Sequence, residues 1–67
     1  MNARERPAPP RLALGPGEAA ASLGVSRETF DTLILPNLKA VRIGRRILVS
    51  VRELERWLIT NERELLP

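Results

Sequence analysis

The chain has 67 residues, with 11 lysines and arginines against 8 aspartates and glutamates, and neither cysteine nor histidine. A single domain of this size buries only about 60% of its unfolded surface, which leaves a small core and no deep substrate pocket. Disulfides, thiolate chemistry, the usual zinc sites and histidine general bases are excluded, and no apolar run approaches the ~20 residues of a membrane span.

Residues 1–10 (MNARERPAPP) contain three prolines and mixed charge, and read as a disordered tail. No hydrophobic signal core opens the chain, so a soluble protein inside the cell is the default. Arg11-Leu12-Ala13-Leu14 is expected to be an extended lead-in, with Leu12 and Leu14 packed on the core. A folded domain is expected over 11–61, followed by a short tail over 62–67.

The stretch GPGEAAASLGVSRETFDTLIL, Gly15 to Leu35, predicts two short helices joined by a tight turn. The first runs from Pro16 to about Leu23, with Gly15 as cap. Pro16 occupies a position whose missing amide proton costs nothing, and Glu18 favours the first-turn dipole. Ala19, Ala20 and Ala21 permit a close approach to the next helix. Gly24 suits a left-handed backbone at the turn. Ser26 is an N-cap, and Val25 with Phe30 has hydrophobic-staple spacing. The second helix then runs to about Leu35 and is stopped by Pro36. Its spacing predicts that Phe30, Leu33 and Ile34 are buried and that Glu28, Thr32 and Leu35 face outward.

A period-two segment follows, Val41-Arg42-Ile43 and Ile47-Leu48-Val49 around Gly44-Arg45-Arg46, and predicts a β-hairpin. Only an odd loop, such as Gly44 to Arg46, places Val41, Ile43, Ile47 and Val49 on one face. Such a loop usually carries a bulge. Ser50-Val51-Arg52-Glu53 is a capping box for a third helix, with Val49 and Leu54 as its staple. Val51, Leu54, Trp57 and Leu58 form its apolar stripe, and Asn61 its end. Trp57 is expected to be the main core aromatic, and Arg52, Glu53, Glu55 and Arg56 a solvated charged face.

Charge is unevenly distributed. From Thr32 to Arg52 no acidic residue occurs, while Lys39, Arg42, Arg45, Arg46 and Arg52 are all basic. Between Gly15 and Leu38 the one cation is Arg27. Arginine supplies 10 of the 11 cations, which suits bidentate contacts to phosphate or guanine.

Three helices with a basic hairpin between the second and third make a winged helix-turn-helix, mainly α with a two-stranded wing. Glu18-Ala19-Ala20, Leu23-Gly24-Val25-Ser26-Arg27, Ala40-Val41-Arg42-Ile43-Gly44-Arg45-Arg46 and Leu54-Glu55-Arg56-Trp57-Leu58 occur in this order. In these residues the chain resembles the excisionase-like and MerR-like small winged DNA-binding domains, over roughly residues 12–60. The resemblance implies that the second helix enters the major groove of double-stranded DNA, while the hairpin contacts backbone or minor groove. It further implies a role in directing site-specific recombination toward excision or in regulating transcription. The partners would be a site-specific recombinase or the transcription machinery, and the setting the bacterial nucleoid or a phage or other mobile element.

On that basis the candidate contacts on the second helix are Ser26, Arg27, Glu28, Thr29 and Thr32. Arg27 can reach guanine or phosphate, or pair with Asp31 four residues on. Thr29 and Thr32 suit thymine methyls or phosphates, and Glu28 an amino group of cytosine. On the hairpin and its flanks the candidates are Lys39, Arg42, Arg45, Arg46 and Arg52. Arg45 and Arg46 suit a narrow A·T-rich minor groove; Lys39 and Arg42 suit phosphate neutralisation. An excisionase-like architectural factor is the first reading and a MerR-like transcriptional regulator the second. A protein-interaction adaptor on the same scaffold is the reading from another class, motivated by the acidic second helix. Catalysis is not expected, since Ser22, Ser26 and Ser50 have no histidine partner, and neither a cofactor nor a metal is expected. Only Glu62 to Pro67 follow the third helix, too few for a coiled coil. A monomer in free solution is therefore expected, associating head-to-tail on direct DNA repeats.

Overall fold

A computed structural model of the chain describes residues 11–65. The expected tail over 1–10 and the last two residues lie outside this range. The element order is β1 (Ala13–Leu14), α1 (Pro16–Leu23), α2 (Arg27–Thr29) continued by a π turn (Phe30–Ile34) and a 3-10 turn (Leu35–Asn37), β2 (Val41–Ile43), β3 (Arg46–Ser50) and α3 (Val51–Asn61). No helix among these residues is long and apolar enough to cross a membrane.

The junction between α1 and α2 follows the expected turn chemistry. Gly24 adopts φ +77°, its N–H reaches the Ala21 carbonyl at 3.1 Å and the Val25 N–H reaches that of Ala20 at 3.0 Å. These are the two bonds of a Schellman ending, which satisfies carbonyls the helix leaves open. Ser26 then caps α2, its Oγ accepting from the Thr29 N–H at 3.1 Å.

The second helix departs from the expected spacing. Leu33 is 66% exposed, whereas Leu35 is half-buried and packs on the core. The cause is Pro36. It has no N–H to give the Thr32 carbonyl and its ring would collide with that carbonyl in an α-helix. The backbone widens before it: the Leu35 N–H bonds to the Phe30 carbonyl, five residues back. A five-residue turn brings Leu35 under Phe30 and rotates Leu33 outward. Pro36 therefore does not stop the helix at Leu35 but sits within its last, 3-10 turn. Asn37 Nδ2 donates to the Leu33 carbonyl at 3.0 Å there, as Asn61 Nδ2 does to Trp57 at 2.8 Å at the end of α3.

The sheet has three antiparallel strands in the order β1-β3-β2, not the two of a simple hairpin. Ala13 pairs with Ser50 and Leu14 with Val49, and the Val51 N–H donates to the Leu12 carbonyl at 2.9 Å. Leu14 faces the core as expected, but Leu12 is 82% exposed, its backbone rather than its side chain being what the fold uses.

The hairpin register overturns the odd-loop expectation. Val41 pairs with Leu48, Arg42 with Ile47 and Ile43 with Arg46, so the loop is the two residues Gly44-Arg45. Gly44 takes φ +62° and no non-glycine residue described has positive φ. This is the pattern of a type II′ turn, whose twist matches that of the strands. Ile47 and Val49 therefore share the core side with Arg42, while Val41, Ile43, Arg46 and Leu48 take the other side. Val49 is fully buried, whereas Val41 and Ile43 are 59% and 60% exposed.

The core is Ala19, Ala20, Phe30, Ile34, Val49 and Leu54, bordered by Leu14, Leu23, Val25, Leu35, Leu38 and Trp57. Ala19 and Ala20 of α1 are buried in this core as their small size allows, whereas Ala21, grouped with them in the sequence reading, is exposed on the far side of the helix. Phe30 is completely buried; Trp57 is only half-buried, so Phe30 and not Trp57 is the central aromatic. Trp57 instead closes the edge of the core between the second helix and α3, and Leu58 is 45% exposed.

Candidate nucleic-acid interface

Arg45 sits in the hairpin turn and Arg46 at the start of β3, opposite Ile43. Arg27 opens α2 directly after its Ser26 cap. These three arginines, far apart in sequence, line one shallow cleft of about 280 Å³ together with Gly15, Pro16 and Ile47. All three are exposed. The Schellman turn aims α2 so that its first residue returns to the N-terminal end of α1. A methyl group on Gly17 would lie 3.8 Å from Arg27 Nη1, so the guanidinium rests against that end of α1. Gly15, the N-cap of α1, brings no side chain of its own to that end.

Arg27 Nε donates to both oxygens of Asp31, at 3.1 and 3.0 Å. Glu18 lies in the first turn of α1. It accepts from Arg11 Nη2 at 2.8 Å and from the Gly15 N–H at 3.2 Å. The Arg11 guanidinium and then the Gly15 amide hold its carboxyl below the usual range, with a smaller contribution from Arg46. Arg11 had no signal in the periodic pattern, because its role is fixed by a contact seven residues away.

The other second-helix candidates carry internal bonds. Ser26 Oγ donates to Thr29 Oγ1 at 2.9 Å, and Thr32 Oγ1 donates to the Glu28 carbonyl at 2.6 Å. Glu28 and Thr32 are exposed and Thr29 is half-buried. Arg42 is exposed on β2, on the sheet side shared with Ile47.

Lys39 and Arg52 belong to a different grouping. Arg52 lines a second hollow with Ser50, Glu53 and Arg56. Glu53 does not join a solvated face: its side chain is 11% exposed. Ser50 Oγ accepts from the Glu53 N–H at 2.9 Å, but the Glu53 carboxylate completes no capping box. It accepts instead from the Lys39 N–H at 2.7 Å and from Arg56 Nε and Nη2 at 2.8 and 2.9 Å. Glu53 thus ties the segment entering the hairpin to α3. The Arg56 guanidinium and then the Lys39 amide draw its pKa from 4.5 to about 2.

The folded state therefore keeps Glu53 ionised at pH values where the unfolded chain takes up a proton. Its contribution to stability is present above pH 4.5 and is lost as pH falls toward about 2. Glu53→Gln should flatten this part of the acid limb. Chemical denaturation at several pH values across that window checks it; the same loss of stability with acid in both proteins would refute the assignment.

Comparison with protein-family models, with curated proteins and with solved structures finds no match.

Proposed function

We propose that this chain is a double-stranded DNA-binding module of winged helix-turn-helix design. In this reading the second helix enters the major groove and the β2–β3 hairpin is the wing, lying along backbone or minor groove. The observation that carries the reading is the cleft in which Arg27 of the second helix meets Arg45 and Arg46 of the hairpin. Exposed arginines from two elements on one surface are suited to neighbouring phosphates of a backbone. Within this class the favoured role is an excisionase-like architectural factor, with a small MerR-like transcriptional regulator as the alternative.

Binding should be dominated by counterion release. Three to four phosphates neutralised by Arg27, Arg45 and Arg46, with Arg42 at the flank, give a slope of log affinity against log salt of roughly −3 to −4. Titration of a mixed-sequence duplex over a range of salt concentrations measures it, and a slope near zero would sink the reading.

One observation favours the reading as a protein-interaction module. Val41 and Ile43 are more than half exposed on the outer side of the hairpin, beside basic residues. Under that reading, replacing Val41 and Ile43 by threonine abolishes capture of a protein partner and leaves no DNA retention to lose.

A further inference from the structure

The contact between Arg27 and Asp31 admits two opposite roles on a DNA-binding surface. Asp31 could compete with phosphate for the guanidinium, or it could hold the guanidinium ready. The geometry favours the second. Both carboxylate oxygens engage Nε, at 3.1 and 3.0 Å, and among the described residues neither Nη group has an acceptor. A guanidinium has five N–H donors in a rigid fork, so a carboxylate on Nε leaves four of them on the two Nη groups. Nη1 is the nitrogen that lies against Gly17, at the end of α1 that lines the cleft shared with Arg45 and Arg46.

We infer that Asp31 is a positioning residue: it fixes Arg27 so that its Nη groups meet a DNA phosphate in the three-arginine cleft, and the Arg27–Asp31 pair persists in the complex. This rests on the DNA reading above. A long side chain loses rotamer freedom when it binds, and Asp31 removes part of that freedom beforehand. This also gives a reason for an acidic residue on a helix that meets DNA. A carboxylate near a phosphate backbone is unfavourable by charge alone, so its orienting effect must outweigh that repulsion.

The two roles predict opposite signs. If Asp31 positions Arg27, Asp31→Ala weakens duplex binding by roughly 2- to 10-fold, the size of the ordering of one long side chain. Asp31→Asn keeps an oxygen for Nε and loses the charge, so it binds at least as tightly as the wild type. In an Arg27→Ala background, Asp31→Ala no longer weakens binding, because nothing remains to be positioned. Anisotropy titrations of a fluorescent mixed-sequence duplex with the full chain give all of these values, and denaturation curves establish that each variant folds. Nitrogen-detected NMR supplies an independent readout: the Arg27 Nε–H signal stays at its free-protein position when DNA is added.

Tighter or unchanged binding by Asp31→Ala, or loss of the Nε–H signal position on DNA binding, would overturn the inference and make Asp31 a competitor. Absence of salt-sensitive duplex binding by the wild type itself would remove the DNA reading, and this inference with it. The two failures are thus distinguishable.

Discussion

Phe30→Ala should lower the melting temperature of the chain by at least about 12 °C. Phe30 is completely buried, in one core cluster with Ala19 and Ala20 of α1, Val49 of β3 and Leu54 of α3. Truncating a buried phenylalanine costs about 3–5 kcal/mol in lost transfer energy and cavity. A domain of this size has a total stability on the order of 3–10 kcal/mol, so the substitution removes from about a third to all of it. Even the mild end of that range lowers the melting temperature by roughly 12 °C. Circular dichroism melting reads the result, with Phe30→Leu as a variant that keeps most of the volume and stays folded. A Phe30→Ala protein melting cooperatively within a few degrees of the wild type would contradict the core as described. Trp57→Ala should be milder, because its ring borders the core and is half-exposed.

The second large effect concerns binding. Arg45→Ala with Arg46→Ala should lower duplex affinity by about 2–3 kcal/mol, or roughly 30- to 150-fold, at one to one and a half kcal/mol per charge-assisted contact. Stability should barely change. Both side chains are exposed, and the turn geometry rests on Gly44, with its φ of +62°. The salt slope should become shallower by about two, since two phosphates lose their partners. Arg52→Ala is the internal comparison. Its side chain lines the separate hollow beside Glu53 and Arg56, and it should cost much less. A double variant with native melting and unchanged affinity would remove the hairpin from the interface. An equal loss on Arg52→Ala would show that binding follows net charge rather than the cleft.

Much of the local architecture is legible in the residues themselves. The Gly24 turn, the caps at Ser26 and Ser50 and the end of α3 at Asn61 all occur where a short-range signal marks them. Each depends on a side chain and a backbone group within a few residues of one another, so a reader of the chain has both partners in view. The arginine content of the hairpin is equally plain, as is the absence of acid between Thr32 and Arg52.

What the sequence determined by itself is therefore the set of three helices and a basic hairpin, with their boundaries good to a residue or two. Tertiary structure alone decided which faces those elements show. Strand β1 clamps β3 through Leu14 and Val49, and with a two-residue turn at Gly44 this sends Val41 and Ile43 outward, although alternation alone fits either parity. Pro36 widens the second helix and exchanges Leu33 for Leu35, a shift that a fixed helical period cannot represent. Glu53 leaves the solvent for the Lys39 amide, 14 residues away. The convergence of Arg27 with Arg45 and Arg46 belongs to the same group. It arises from how α2 leaves its turn and where the hairpin docks, which together bury Phe30 and Val49 in one core.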